Sequence, residues 1–278
     1  MNNRHQVLQG AAKAALRYRV QHGYPFHAPC DVYELISRTL DLQFVDIPSL
    51  EGMYLEEAEA KRICVCAHRP VGRQKFTTAH ELGHHLLGHG TQIDAGFEID
   101  NVVPDYIEEQ AADVFARYLL MPPRAVHAGF RNRGLSPLTE DPRSFYCVSS
   151  WLGVGYTTLV QHMTCTLNLL SKTRSDMLQN TAVKELKTSL VGVSTTNDVW
   201  QLDDLWDGFV VHAQLGDFLL GLSDVEQQCG TLSRFRDDTW VATAVGSGTY
   251  ALRNGGSIKV CVSKRDFAGF YEYRYMPE

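Results

Sequence analysis

His80-Glu81-Leu82-Gly83-His84 is the most informative part of this sequence. Its two histidines are four residues apart, so on a helix they share one face, with Cβ atoms about 5–6 Å apart. Two imidazoles in that position can converge on one Zn²⁺ ion at about 2.0–2.1 Å. Glu81 lies one position round the helix from His80, where its carboxylate can reach an activated water without replacing either histidine. The stretch therefore predicts a helix that carries a catalytic zinc site with Glu81 as general base, the H-E-x-x-H pattern of zinc-dependent peptidases.

The residues around this motif support the helix. Apolar or small side chains recur at helical spacing, at Phe76, Ala79, Gly83, Leu86 and Leu87. Thr77 or Thr78 is expected to cap the first turn, and Gly88 and Gly90 are expected to end the helix.

A second helical pattern, over residues 108–121, supplies the remaining acidic groups. A catalytic zinc needs three protein ligands and one open position. Glu109 is the predicted third ligand, and Glu108 stays an alternative because one sequence does not fix the register to a single residue. Asp113 shares a helix face with Glu109 and is expected to accept the ring N–H of a ligating histidine.

Peptide hydrolysis also needs a hydrogen-bond donor for the developing oxyanion. Tyr54, His89 and Tyr106 are candidates, and the sequence does not choose between them. His85 and His89 also fit plain surface or packing residues.

At these residues the chain resembles the ImmA/IrrE family of metallopeptidases. The matching segments are residues 73–84 and residues 109–122, and the resemblance extends over about residues 5–170. It implies a mostly helical, zincin-like peptidase core with the ligands and base named above. The chain departs from the family at Asp113, where many members carry Asn, but a carboxylate keeps the capacity to accept a hydrogen bond.

The resemblance also implies a biological role. Members of the family typically cleave a helix-turn-helix transcriptional repressor, in stress responses or in the regulation of mobile elements and phages. We therefore expect a zinc endopeptidase with a protein substrate of that kind. A protein that sequesters the repressor without cutting it, a peptidase for another protein, and Mn²⁺ in place of Zn²⁺ all remain open.

Composition restricts the other classes. The net charge of −6 implies no general affinity for nucleic acid. No apolar run is long enough to cross a membrane. Seven scattered cysteines, an odd number, suit reduced thiols and a cytoplasmic location.

The pattern along the chain predicts an α+β protein with three parts. Residues 1–125 form the metallopeptidase domain with a small sheet, residues 126–198 form a helix-turn-helix-like segment and linker, and residues 199–278 form a small antiparallel β domain of unknown role. Within the first part, the strand at residues 62–68 is expected to be an edge strand that receives an extended substrate.

The helix-turn-helix-like pattern lies at residues 148–163, with a turn at Gly153. Residues 144–170 contain no Lys, Arg, Asp or Glu, whereas a recognition helix needs cationic contacts to phosphate. The segment is therefore expected to serve structure or repressor docking, and direct nucleic-acid binding is not expected. In the β domain, Asn254-Gly255-Gly256 predicts a hairpin turn.

Overall fold

The computed structural model describes residues 2–56, 60–95, 106–138, 141–223, 230–253 and 255–277. They form an α+β protein, which confirms the predicted class. The chain divides into two compact units. Unit 1 comprises Met1–Gly129, Leu152–Val154 and Asp266–Glu272, and unit 2 comprises Phe130–Trp151, Gly155–Arg265 and Tyr273–Glu278. The division into three domains, with boundaries after residues 125 and 198, stays a prediction.

The helices in the described part of the chain are α1 (Asn2–Gln21), α2 (Val32–Ser37), α3 (Val71–Leu87), α4 (Tyr106–Leu120), α5 (Pro123–Arg131), α6 (Pro142–Leu152), α7 (Tyr156–Gln161), α8 (Lys172–Gln179) and α9 (Val183–Val191). The strands are β1 (Asp41–Val45), β2 (Leu50–Glu56), β3 (Lys61–Cys66), β4 (Gln92–Ala95), β5 (Val199–Gln201), β6 (Val210–Gln214), β7 (Phe218–Leu220), β8 (Leu232–Arg236), β9 (Thr239–Ala242), β10 (Gly246–Ala251), β11 (Ser257–Ser263) and β12 (Gly269–Phe270).

The sheet of unit 1 has the order β12-β1-β3-β2-β4. Strand β3 pairs with β1 in parallel and with β2 in antiparallel orientation. The prediction that residues 62–68 form an edge strand was therefore wrong. Whether a strand lies at the edge of a sheet depends on which distant strands pair with it. The sequence did not predict β2, which pairs with β3 on the side away from β1.

Helix α3 packs against this sheet on one side and against α4 on the other. It begins at Val71, so Thr77 and Thr78 lie inside it and neither is its cap. Thr78 instead donates its hydroxyl to the carbonyl of Gln74 at 2.7 Å. The predicted end is confirmed, because Gly88 has a φ of 75° and its backbone N–H donates to the last turn.

A buried arginine ties α1 to the rest of unit 1. Arg19 is fully buried, and its guanidinium donates to the backbone carbonyls of Leu119, Pro25 and Ala28. These carbonyls compensate part of the cost of burying the charge, while burial lowers the pKa of Arg19. The sequence did not predict this contact, because an arginine within a helix ordinarily faces water.

The described residues of unit 2 form two small sheets, β10-β11-β6 and β5-β7-β9-β8. Both are mixed: β11 pairs with β6 in parallel, and β5 pairs with β7 in parallel. The prediction of a purely antiparallel domain was wrong on this point. Side chains alternate in parallel and antiparallel strands alike, and only a hairpin turn gives a local sequence signal for the direction of pairing. Strands β10 and β11 do pair as an antiparallel hairpin, and Asn254 of its turn lies outside the described residues.

The segment predicted as helix-turn-helix-like has the expected local order. Helix α6 ends at Leu152, Gly153 has a φ of 73°, and α7 begins at Tyr156. A π-helix at His162–Thr166 then continues α7. No helix among the described residues combines the length and apolar character that a membrane crossing requires.

Candidate metal centre

Helix α3 carries the predicted site residues on two of its faces. His80 and His84 lie on the face that meets α4, and both are buried. Glu81 is also buried, but it lies on the face that meets β2. The four-residue spacing places both predicted ligands on one face, and the one-residue offset of Glu81 places the predicted base on another.

Three side chains offer ligand atoms at one point between α3 and α4. The Nε2 atoms of His80 and His84 are 2.9 Å apart. Glu109 places one carboxylate oxygen 3.2 Å from Nε2 of His80 and the other 3.5 Å from Nε2 of His84. Candidate ligand atoms from these residues all lie within 4.8 Å of one another. Glu108, the alternative third ligand, is not part of this group.

These distances fit a tetrahedral zinc site. With metal–ligand bonds of about 2.0–2.1 Å, neighbouring ligand atoms in a tetrahedron lie about 3.3 Å apart. The two Nε2 atoms are 2.9 Å apart, and the nearest Glu109 oxygen to each, a different oxygen in the two cases, lies at 3.2 and 3.5 Å, which is close to that value. Two imidazoles and one carboxylate are also the donor set of catalytic zinc sites that keep a fourth position open.

Asp113 contacts the other side of the first imidazole. Its Oδ1 is 3.3 Å from Nδ1 of His80, and Arg117 lies 3.8 Å from its second oxygen. Burial alone would lower the pKa of His80, but the hydrogen bonds to Asp113 and Glu109 outweigh burial and raise that pKa to about 10. The ring is thus held so that Nε2 faces Glu109 and His84.

The second imidazole has a different environment. Nδ1 of His84 lies 3.0 Å from Nδ1 of His89, while its Nε2 faces Glu109. Burial, together with the neighbouring His80, lowers the pKa of His84 to about 4. Nε2 of His84 therefore faces the point at which His80 and Glu109 also place ligand atoms.

His89 reaches this position because the left-handed Gly88 turns the chain back. The backbone N–H of His89 donates to the carbonyl of His84 at 3.1 Å, as expected after a glycine-capped helix. His89 therefore contacts the ring nitrogen of His84 that faces away from Glu109. The sequence had suggested only a packing residue or an oxyanion donor at this position.

A cavity of about 560 Å³ opens beside the candidate ligands. Its lining includes Glu51, Phe76, His80, Tyr106, Glu109 and Asp113. Of the three candidate oxyanion donors, Tyr106 lines this cavity and is 70% exposed. Tyr54 is fully buried, with its hydroxyl 2.7 Å from Nδ1 of His85.

Gly52, which lies on β2 next to Glu81, is a residue of the site that the sequence did not predict. The signal was present in the alternation of Leu50, Gly52 and Tyr54, which are all buried on one face of β2. It was not recognised because glycine and glutamate at the centre of the segment weaken the strand pattern.

Comparison with known proteins identifies a related domain. Residues 41–135 match the family model of M78 peptidases described as the IrrE N-terminal-like domain. The match covers β1 to α5, including both helices of the candidate metal centre, and is shorter than the resemblance over residues 5–170. No curated protein matches the chain.

Proposed function

We propose that this chain, whose residues 41–135 belong to the IrrE N-terminal-like family of M78 peptidases, is a zinc-dependent endopeptidase that cleaves a helix-turn-helix transcriptional repressor. Mn²⁺ is the alternative metal, because imidazole and carboxylate ligands also accept it. The observation that carries the proposal is the convergence of His80, His84 and Glu109, with Glu81 on the adjoining face of the same helix.

The proposed roles follow from the geometry. His80, His84 and Glu109 hold the ion, and Asp113 and His89 orient the two imidazoles through their second ring nitrogens. When bound, the ion supplies Lewis acidity, which favours ionisation of water and polarisation of the peptide carbonyl.

Glu81 performs the proton transfers. Its carboxylate takes a proton from the attacking water and later delivers it to the nitrogen of the leaving amine. We assign hydrogen-bond donation to the oxyanion to Tyr106, because among the three candidate donors it is the one that lines the cavity beside His80.

The repressor as substrate rests on the family resemblance, and the cavity is compatible with it. Phe76 and Tyr106 give the cavity aromatic walls, Asp113 provides an acidic group, and Glu51 is paired with Arg73, which also lines the cavity. A cavity of about 560 Å³ is large enough for one large side chain of a bound polypeptide.

The test is incubation of the zinc-loaded protein with purified candidate helix-turn-helix repressors, followed by gel analysis of the products. We expect the zinc-loaded wild type to produce discrete fragments, which mass spectrometry would assign to one bond. Glu81→Gln should retain zinc and its thermal midpoint, and its kcat should fall by about 10²–10⁴-fold because the base is lost while the ligands remain.

The same experiment separates cleavage from sequestration. A sequestering protein would bind the repressor and release it from its operator without producing fragments, in the wild type and in Glu81→Gln alike. Wild-type cleavage rates in Glu81→Gln would refute the role of Glu81 as base.

A further inference from the structure

Gly52 lies where strand β2 approaches the helix that carries the catalytic motif. The buried face of β2 presents Leu50, Gly52 and Tyr54. On α3, Thr77, Glu81 and His85 are four residues apart and therefore share one face. The two rows meet: Tyr54 contacts His85, and Gly52 lies against Thr77 and Glu81.

The space at Gly52 is occupied by the side chain of Glu81. A Cβ atom at position 52 would lie 2.5 Å from Oε1 of Glu81 and 2.4 Å from Cγ2 of Thr77. Both separations are far below van der Waals contact. The carboxylate of Glu81 therefore lies in a space that exists only because residue 52 has no side chain.

The strand cannot easily move away from the helix. Gly52 pairs with Val65 on β3 and with Asp94 on β4, and the register shifts between Leu50 and Gly52, as in a β-bulge. Bulges re-aim side chains beside active sites.

A clamp on the neighbouring residue fixes the same part of β2. Glu51 accepts hydrogen bonds from Nε of Arg69 at 2.9 Å and from Nε of Arg73 at 2.8 Å. Arg73 belongs to the first turn of α3, so the clamp joins strand and helix directly.

We propose that Gly52 is the positioning residue for Glu81. Among the groups that a methyl at position 52 would meet, the branched Thr77 is stiff at χ1, whereas the Glu81 carboxylate ends a flexible side chain. The methyl would therefore displace that carboxylate. This inference rests on the proposed function for its catalytic consequence, but not for the contact itself.

The catalytic test is Gly52→Ala in the full-length, zinc-loaded protein. A displacement of about 1 Å at a reacting group costs on the order of 10²-fold in rate. We expect kcat on a cleaved repressor to fall by about that factor, with KM and zinc stoichiometry unchanged. Gly10→Ala is the matched control, because a Cβ at Gly10 meets nothing within 4 Å.

A thermal double-mutant cycle tests the contact without any activity. Gly52→Ala should lower Tm by about 2–4 °C more in the wild type than in a Glu81→Ala background, where the methyl enters vacated space. The clash with Thr77 is present in both backgrounds and cancels.

The outcomes separate the two proposals. Suppose that the wild type cleaves no repressor but Gly52→Ala lowers Tm more in the wild type than in the Glu81→Ala background. The proposed peptidase function would then be rejected, and Gly52 would remain the residue that positions Glu81. Equal Tm shifts in both backgrounds, or an unchanged kcat in Gly52→Ala, would overturn the positioning role.

Discussion

His80 contacts an acidic side chain at each of its ring nitrogens. Glu109 lies at Nε2 and Asp113 lies at Nδ1, 3.2 and 3.3 Å away. An imidazole that binds a metal through one nitrogen is oriented by what its other nitrogen contacts. Asp113, rather than Glu109, is therefore the residue that tests whether the ring is oriented for a cation.

Removing that orienting group should weaken metal binding. We expect Asp113→Ala to raise the dissociation constant for Zn²⁺ by about 10–100-fold, as measured by competition with a chelating dye. Asp113→Asn should lose less of the affinity for Zn²⁺, because the amide oxygen of asparagine still accepts a hydrogen bond.

Glu108→Gln is the matched control, since Glu108 lies on the same helix but outside the ligand group. It should bind Zn²⁺ like the wild type. An unchanged affinity in Asp113→Ala would show that His80 is oriented by something else.

Most of the candidate site could be predicted from the sequence, because its spacing is local. His80, Glu81 and His84 lie within five residues of one helix, and Glu109 and Asp113 lie four apart on another. The role of His89 could not be predicted, because it depends on the left-handed turn at Gly88 that brings it back to His84.

At the scale of elements, the distance between α3 and α4 determines whether the ligands meet. Gly83 lies between the two histidines and packs against α4. A Cβ there would be 3.1 Å from Cα of Ala112 and 3.2 Å from Cβ of Phe115. The helices approach closely because position 83 has no side chain, and Glu109 is brought into reach by that approach.

A larger residue at this position should separate the helices. We expect Gly83→Val to reduce the free energy of unfolding by about 1–3 kcal/mol, as overpacking typically does, and to weaken Zn²⁺ binding. Urea unfolding with and without Zn²⁺ measures both effects.

Gly10→Val places the same side chain on the exposed face of α1, where a Cβ has open space. It should change stability by less than about 0.5 kcal/mol. A Gly83→Val protein as stable as this control would contradict the packing argument.

Helices α3 and α4 were predictable because their apolar periodicity is a property of each segment alone. Strand β2 was not predictable, because Glu51 and Gly52 interrupt its pattern of apolar residues and its partners β3 and β4 follow later in the chain. The start of α3 was placed too late because Thr77 and Thr78 resemble caps, whereas Pro70 precedes the helix.

At the scale of the whole molecule, unit 1 is completed by residues from the far end of the chain. We call residues Asp266–Glu272 the C-terminal strap. Within it, β12 pairs with β1, and Phe267 packs edge-on against Phe44 with ring centroids 6.4 Å apart. The strap covers a sheet edge that would otherwise expose unpaired backbone groups. The family match ends at residue 135 and does not include it.

Loss of the strap contact should destabilise the protein. Phe267→Ala removes a half-buried aromatic ring, and we expect it to cost about 1–3 kcal/mol of unfolding free energy. Met276→Ala truncates an exposed side chain near the same end of the chain and should cost less than about 0.5 kcal/mol. Similar values for the two variants in urea unfolding would argue against a structural role for the strap.

The strap also predicts a pH dependence. The hydrogen bond to Asp46 at 2.5 Å, together with Asp266 of the strap at 3.2 Å, raises the pKa of His68 above its ordinary value of 6.5. The folded state thus favours protonated His68. Its stabilising contribution is fully present below pH 6.5 and is lost as the pH rises through the raised pKa.

The unfolding free energies of the wild type and His68→Gln should therefore differ most near about pH 6, and the difference should shrink as the pH rises through the raised pKa of His68. Chemical denaturation across this range gives the comparison. A difference that grows with pH would reverse the assigned sign.

The measurement that decides whether His80, His84 and Glu109 bind one ion is a crystal structure of the zinc-loaded protein, with the ion located by anomalous scattering at the zinc edge. We expect one ion about 2.0–2.2 Å from Nε2 of His80, Nε2 of His84 and a carboxylate oxygen of Glu109. A Glu109 side chain turned away from the histidines, or no anomalous peak between them at saturating zinc, would contradict the metal centre and the peptidase with it.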